Sequence, residues 1–184
     1  KGFKEGQIDF KLLVEQKKFI LNNYGTHVLG IISINLDKLI IFPMYGALIL
    51  GPYQLGFQIF VVIMILPQIV AQYILPHDAS GSKNILLKKY TMITSGIITV
   101  LTIILSPILI PFIFPKYIEA IEIIQIMGLA VIPSALTLIF TSELLGNENS
   151  KSVIIGVIIS ITTLILGIII LGEYFGLIGI AVTL

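Results

Sequence analysis

Asp37 and Lys38 stand side by side in Ile34–Phe42, a stretch otherwise built almost wholly of apolar residues. A carboxylate and an ammonium are costly in an apolar helix, so such groups face protein or water and mark ion or substrate paths. Two chemistries fit the pair. In one, Asp37 titrates in a central cavity and couples transport to H⁺ or Na⁺, while Lys38 offers its charge to an anionic head group. In the other, both sit near an outer interface, with Lys38 snorkelling. Counted from Lys18 at about 1.5 Å per residue, Asp37 is about 28 Å along the helix, toward the outer side.

Further polar groups share stripes when the apolar segments are placed on a wheel of about 100° per residue. Asn23, Thr26, Gly30, Ser33 and Asp37 fall within roughly 80°, with His27 and Lys38 flanking. Gln54, Gln58, Gln68 and Gln72 form a second stripe. Gln is bulky for close helix packing but both donates and accepts, which suits a hydrated lumen. The cavity candidates are therefore Asn23, Thr26, His27, Ser33, Asp37, Lys38, Gln58, Gln68 and Gln72. His27 could equally be hydrogen-bonded between helices or serve a proton relay. Thr91, Ser95, Thr99, Thr102 and Ser106 form a third stripe, and Ser152, Gly156, Ser160, Thr163 and Gly167 a fourth. For these two, helix packing is the favoured reading. Glu119, Glu122 and Glu143 read as solvated groups near helix ends.

What must position these residues follows from composition. Of 184 residues, 57% are hydrophobic and 11% charged, and the mean hydropathy is +1.06. Soluble domains carry about 25% charged residues, so this chain cannot cover a water-facing surface. A net charge of +1 leaves no basic surplus for nucleic acid. With no Cys and two distant His, no metal cluster or thiol chemistry is expected. No P-loop, HExxH or Ser/His/Asp spacing occurs, so the chain does not read as an enzyme, and no cofactor is implied.

The predicted architecture is an all-α, multi-pass transmembrane bundle of five full spans and the start of a sixth. The spans are about 19–45, 53–75, 89–114, 118–145 and 152–171, with a truncated one at 176–184. Residues 1–18, rich in Lys with a modest amphipathic pattern, read as a cytoplasmic linker or interfacial helix. Gly46–Tyr53 with its Gly51-Pro52, Pro76–Ser82, Pro111 with Pro115, Gly146–Ser150 and Gly172–Gly176 mark the connections. Pro67 and Pro133 read as hinges or broken turns inside spans. Alternate connections counted from the N-terminus hold nine Lys, against one on the other side. That bias predicts residues 1–18 on the cytoplasmic side and a first span running from inside to outside. The start at Lys1 and the end at Leu184 inside an apolar run read as a C-terminal or internal fragment.

Three stretches carry a family resemblance. Ile34–Ile41 followed by Gly51–Phe57 resembles an Asp-Lys or Asp-Arg pair leading through a glycine-flanked loop into the next span. Ile110–Ile121 resembles the end of the third span and the opening of the fourth, with Pro115 where the family usually has Gly. Tyr174–Ala181 resembles the glycine-rich start of the last helix. Their order and spacing are similar to the C-terminal half of a polysaccharide (O-antigen-type) flippase of the multidrug/oligosaccharidyl-lipid/polysaccharide exporter superfamily. The resemblance implies one lobe of a MATE-like two-lobe transporter, facing a missing N-terminal lobe around a central cavity. Its implied activity is flipping a polyprenyl-linked oligosaccharide across the bilayer by alternating access. Related flippases hold a pyrophosphate with Arg. This chain has no Arg, so the role would fall to Lys38 or to the missing lobe. A multidrug cation exporter of the same superfamily is the nearest rival, a membrane-embedded glycan polymerase or transferase the next, and a purely structural subunit the third.

Overall fold

A computed structural model describes residues 17–79, 85–147 and 149–184. The expected linker 1–18 lies, but for its last two residues, outside the described residues. The described chain is helical: α1 Lys17–Ala79, α2 Ile85–Ile113, a 3₁₀ turn Pro115–Tyr117, α3 Ala120–Gly146 and α4 Ser150–Val182. No strand occurs among the described residues. All four helices are long and apolar enough to cross a membrane. Helices are the form such runs must take in lipid, because each backbone donor then finds its acceptor within the segment.

α1 is not a rod. Drawn straight, its 63 residues would extend about 95 Å. Asp37 and Tyr53, 16 residues apart, would then lie about 24 Å from each other. They instead meet at 2.7 Å. The chain turns back at Gly46, whose φ of 77° and ψ of −178° belong to a region open essentially to glycine. A Cβ at Gly46 would touch nothing, so the dihedral angles alone demand the glycine. α4 doubles back in the same way at Gly176, with φ 57° and ψ −134°. Its last turns lie against its own middle, with Thr183 on Gly167 and Ile180 on Gly172.

These reversals correct the expected connections. No loop spans 46–53 or 172–176, because one glycine in the left-handed region reverses the chain and helix resumes at the next residue. The proline expectation is corrected as well. Helix continues through Pro67 and Pro133, and α2 runs through Pro107 and Pro111 to Ile113. Proline fixes φ near its helical value and removes one hydrogen bond, so a helix held by neighbours can run through it. Between α3 and α4, Asn149 caps the new helix by accepting from the Ser152 N–H.

α3 is the central element, packed on α1, α2 and α4. The core gathers Ile41, Tyr53 and Phe57 of α1 with Ile123 and Met127 of α3 and Ile168, Ile180 and Ala181 of α4. Gly56 permits the close approach, since a Cβ there would press on Ile123 and Met127. Outside this core the chain exposes large apolar side chains along all four helices. That is the reverse of a water-soluble surface.

Candidate functional site

The hairpin of α1 builds the site. Its two arms, residues 17–45 and 47–79, bring Asp37 and Lys38 against Tyr53 and Phe57. Asp37 is 2% exposed. One carboxyl oxygen accepts from the Tyr53 hydroxyl at 2.7 Å, and the other from the backbone N–H of Lys38 at 2.8 Å. The Lys38 ammonium is 3.6 Å from that second oxygen and 4.2 Å from the centroid of the Phe57 ring. The ring face attracts the cation while the carboxyl group balances its charge. Phe57 in turn stacks on Tyr53, with centroids 6.3 Å apart. Beside Tyr53, the Gln54 Oε1 is buried and meets no donor among the described residues.

Such a cluster has the chemistry to hold a small cation at Asp37 or to pair Lys38 with an anion. It carries no activated nucleophile, and no group of His, Asp and Glu suited to a metal ion occurs among the described residues.

The other candidates are distributed differently. Gln58, Gln68 and Gln72 are exposed on the second arm, among exposed Val61, Val62, Ile65 and Ile69, while Phe57, Met64, Ala71 and Ile74 are buried. Asn23 is half-buried and His27 exposed, farther down the first arm. Thr26 and Ser33 lie on that arm with their side chains outside the described part. The structure thus joins Asp37 and Lys38 in one cluster and sets the glutamines on a separate outward face.

Residues that the sequence reading did not single out complete the picture. Tyr53 and Phe57 are core partners of the charged pair. The signal available for Tyr53 was its near-mirror spacing about Gly46, with Asp37 nine residues before the glycine and Tyr53 seven after. Tyr45 donates to the Ile168 carbonyl at 2.9 Å and lies on Gly172, tying the α1 reversal to α4. Gln125 answers a different need. Pro107 has no N–H for the Ile103 carbonyl four residues earlier. Gln125 Nε2 on α3 donates to that carbonyl at 3.1 Å.

The stripe on α2 is buried in packing, as expected. Thr91, Ser95, Thr99 and Ser106 are all buried, and the Thr99 hydroxyl donates across to the Gly128 carbonyl of α3 at 3.0 Å. On α4 the packing expectation is met at Gly167, which lies against Thr183, but not at Ser152, Gly156, Ser160 and Thr163, which are exposed.

The chain matches no protein family model, no curated protein and no solved structure.

Proposed function

We propose that this chain is one helical lobe of a membrane transporter, the C-terminal lobe of a MATE-like flippase that moves a polyprenyl-linked oligosaccharide across the cytoplasmic membrane. In this reading the two arms of α1, α2, α3 and the long arm of α4 are five membrane crossings, and the residues after Gly176 begin a sixth. At 29 and 33 residues, the arms of α1 would be about 43 and 50 Å long, enough for one crossing each. Residues 1–18 then lie on the cytoplasmic side. An N-terminal lobe faces this one, and H⁺ or Na⁺ coupling centres on Asp37.

One observation carries the proposal: the outward glutamine face on the same hairpin that buries Asp37 and Lys38. An amide moved from water into hydrocarbon without a partner costs about 4–8 kcal/mol. Exposed Gln58, Gln68 and Gln72 are costly against lipid and suit a water-filled passage, although Val61, Ile65 and Ile69 are exposed among them. The apolar surfaces of α2 and α4 suit lipid.

These 184 residues hold no Cys, so with any cysteines of the facing lobe replaced, single Gln58→Cys, Gln68→Cys and Gln72→Cys variants report on water access. In the intact protein in membranes, a hydrophilic maleimide should label these positions, and should label Ile104→Cys or Ile159→Cys at least tenfold less. Equal labelling at the two sets overturns the passage. For the cargo, Asp37→Ala/Lys38→Ala should lower surface glycan and raise lipid-linked oligosaccharide in the inner leaflet at normal protein level. Unchanged glycan, or a gain of drug sensitivity in its place, overturns the flippase assignment in favour of none or of a drug exporter.

A further inference from the structure

Gln54, Gln58, Val61, Ile65, Gln68 and Gln72 follow one another along the second arm of α1 at alternating steps of four and three residues. On a wheel of about 100° per residue they fall within about 80°, a single stripe. Alternating threes and fours make a helix seam of the kind that meets another helix. Gln54 is half-buried and the other five are exposed, so among the described residues nothing covers the stripe from Gln58 onward. Val62, Leu66 and Ile69 form a second exposed stripe beside it, apolar throughout. The arm therefore presents one apolar flank and one mixed flank.

The order along the mixed flank is specific. Glutamines occupy both ends, and the two apolar residues stand together between them. Gln58 and Gln68 are 10 residues apart, about 15 Å, and only Val61 and Ile65 fill that interval of the stripe. Lipid is a poor cover for the ends, since an unpartnered amide in hydrocarbon costs about 4–8 kcal/mol. Water is a poor cover for the middle, where Val61 is 37% and Ile65 48% exposed. A passage along this stripe is wet at both ends, and its apolar middle sheds water where an opposing wall comes close.

Resting on the transport reading, we infer that Val61 and Ile65 form a dry gate across the passage, closing against apolar side chains of the facing lobe at the same depth. Gln58 on one side of the gate and Gln68 with Gln72 on the other line two wet vestibules. A polar head group or an ion crosses only when the lobes part at this level. Val62, Leu66 and Ile69, on the neighbouring flank, stay against lipid and take no part in the closure.

Two readouts on the intact protein, with any cysteines of the facing lobe replaced, separate the gate from the passage. A membrane-impermeant maleimide applied to one face of the membrane should label Gln58→Cys, and applied to the other face should label Gln68→Cys and Gln72→Cys. Val61→Cys and Ile65→Cys should react roughly tenfold more slowly from either face. Labelling of all five at one rate from a single face overturns the gate and leaves the passage standing. Glutamine positions labelled no faster than Ile104→Cys end the passage reading, and the gate with it. Disulfide-linked dimers of Val61→Cys also overturn the gate, since a second copy then covers the stripe. In proteoliposomes of phosphatidylcholine and phosphatidylglycerol, Val61→Gln/Ile65→Gln joins the two wet ends and should raise potassium efflux about threefold or more. Val62→Gln/Leu66→Gln, one step round the same helix, should leave efflux unchanged. Ile65→Gln alone, with a smaller rise in efflux, takes the place of the first double variant should that one not fold. Equal efflux from the two flanks overturns the gate.

Discussion

The α1 hairpin and the α2–α3 pair both place polar side chains among apolar ones, yet they use them in different ways. On α2, the hydroxyls of Thr91, Ser95 and Thr102 donate to carbonyls one turn back on their own helix, at 2.8–2.9 Å. Three contacts connect α2 to α3, Thr99 to Gly128, Gln125 to Ile103 and Lys88 to Glu143. In the hairpin, Asp37 reaches an arm that lies 16 residues away in sequence, and three glutamines are left outward. A polar stripe is thus no functional signal by itself. Its meaning depends on whether the hydrogen-bonding capacity is met by the same helix, by a neighbour, or by nothing in the bundle.

The largest effect is expected where removal of one partner strands a buried group. Tyr53→Phe deprives Asp37 of its shortest donor, and Asp37→Ala leaves a buried hydroxyl without an acceptor. Each should cost about 1–3 kcal/mol in equilibrium unfolding from mixed micelles. The double variant should cost less than the sum by about 1 kcal/mol, because the second change strands nothing new. Strict additivity would mean that the contact at 2.7 Å does not tie the two arms together, and the contrast between the hairpin and α2 would lose its basis.

A smaller effect tests the α2–α3 side. Gln125→Leu should cost about 0.6 kcal/mol, and no more than about 1.7, the range for hydrogen bonds between membrane helices. If Gln125 acts by serving the carbonyl that Pro107 leaves open, Pro107→Ala restores an N–H within α2. The Gln125→Leu cost should then fall toward zero in the Pro107→Ala background. An undiminished cost would show that Gln125 matters through its packing instead.

These contrasts also explain what the sequence disclosed. Apolar segments of sufficient length, separated by Gly, Pro and polar residues, gave an all-helical membrane chain and nearly all of α2 and α3, because hydropathy and length are local properties. The burial of Ser95 and Thr99 followed from small residues at helical spacing. The positions 46–53 and 172–176 of two connections were legible as well; their one-residue form was not, because Gly51-Pro52 and Gly172 look like loop chemistry while the left-handed dihedrals reside at Gly46 and Gly176 alone. Asp37 was visible as a costly charge, but a helical wheel treats each segment alone and cannot pair it with Tyr53. Gln125 was silent for the same reason, since its acceptor belongs to another helix 22 residues away.

The smallest predicted difference lies within one stripe of α2. Ser95 and Thr99 are equally buried and one turn apart. The Ser95 hydroxyl donates to the Thr91 carbonyl of its own helix, an acceptor already engaged in the helical ladder. Ser95→Ala removes that hydroxyl together with its need for a partner, and stability should change by less than about 0.5 kcal/mol. Thr99→Val keeps the shape but removes the donor that reaches Gly128 on α3, at a cost of about 0.6 kcal/mol or more. The Thr99 variant should therefore melt below the Ser95 variant in the same micelles. The reverse order would mean that bonds to a helix's own carbonyls stabilise this bundle as much as bonds between helices, and α2 would then differ from the hairpin in sequence distance alone.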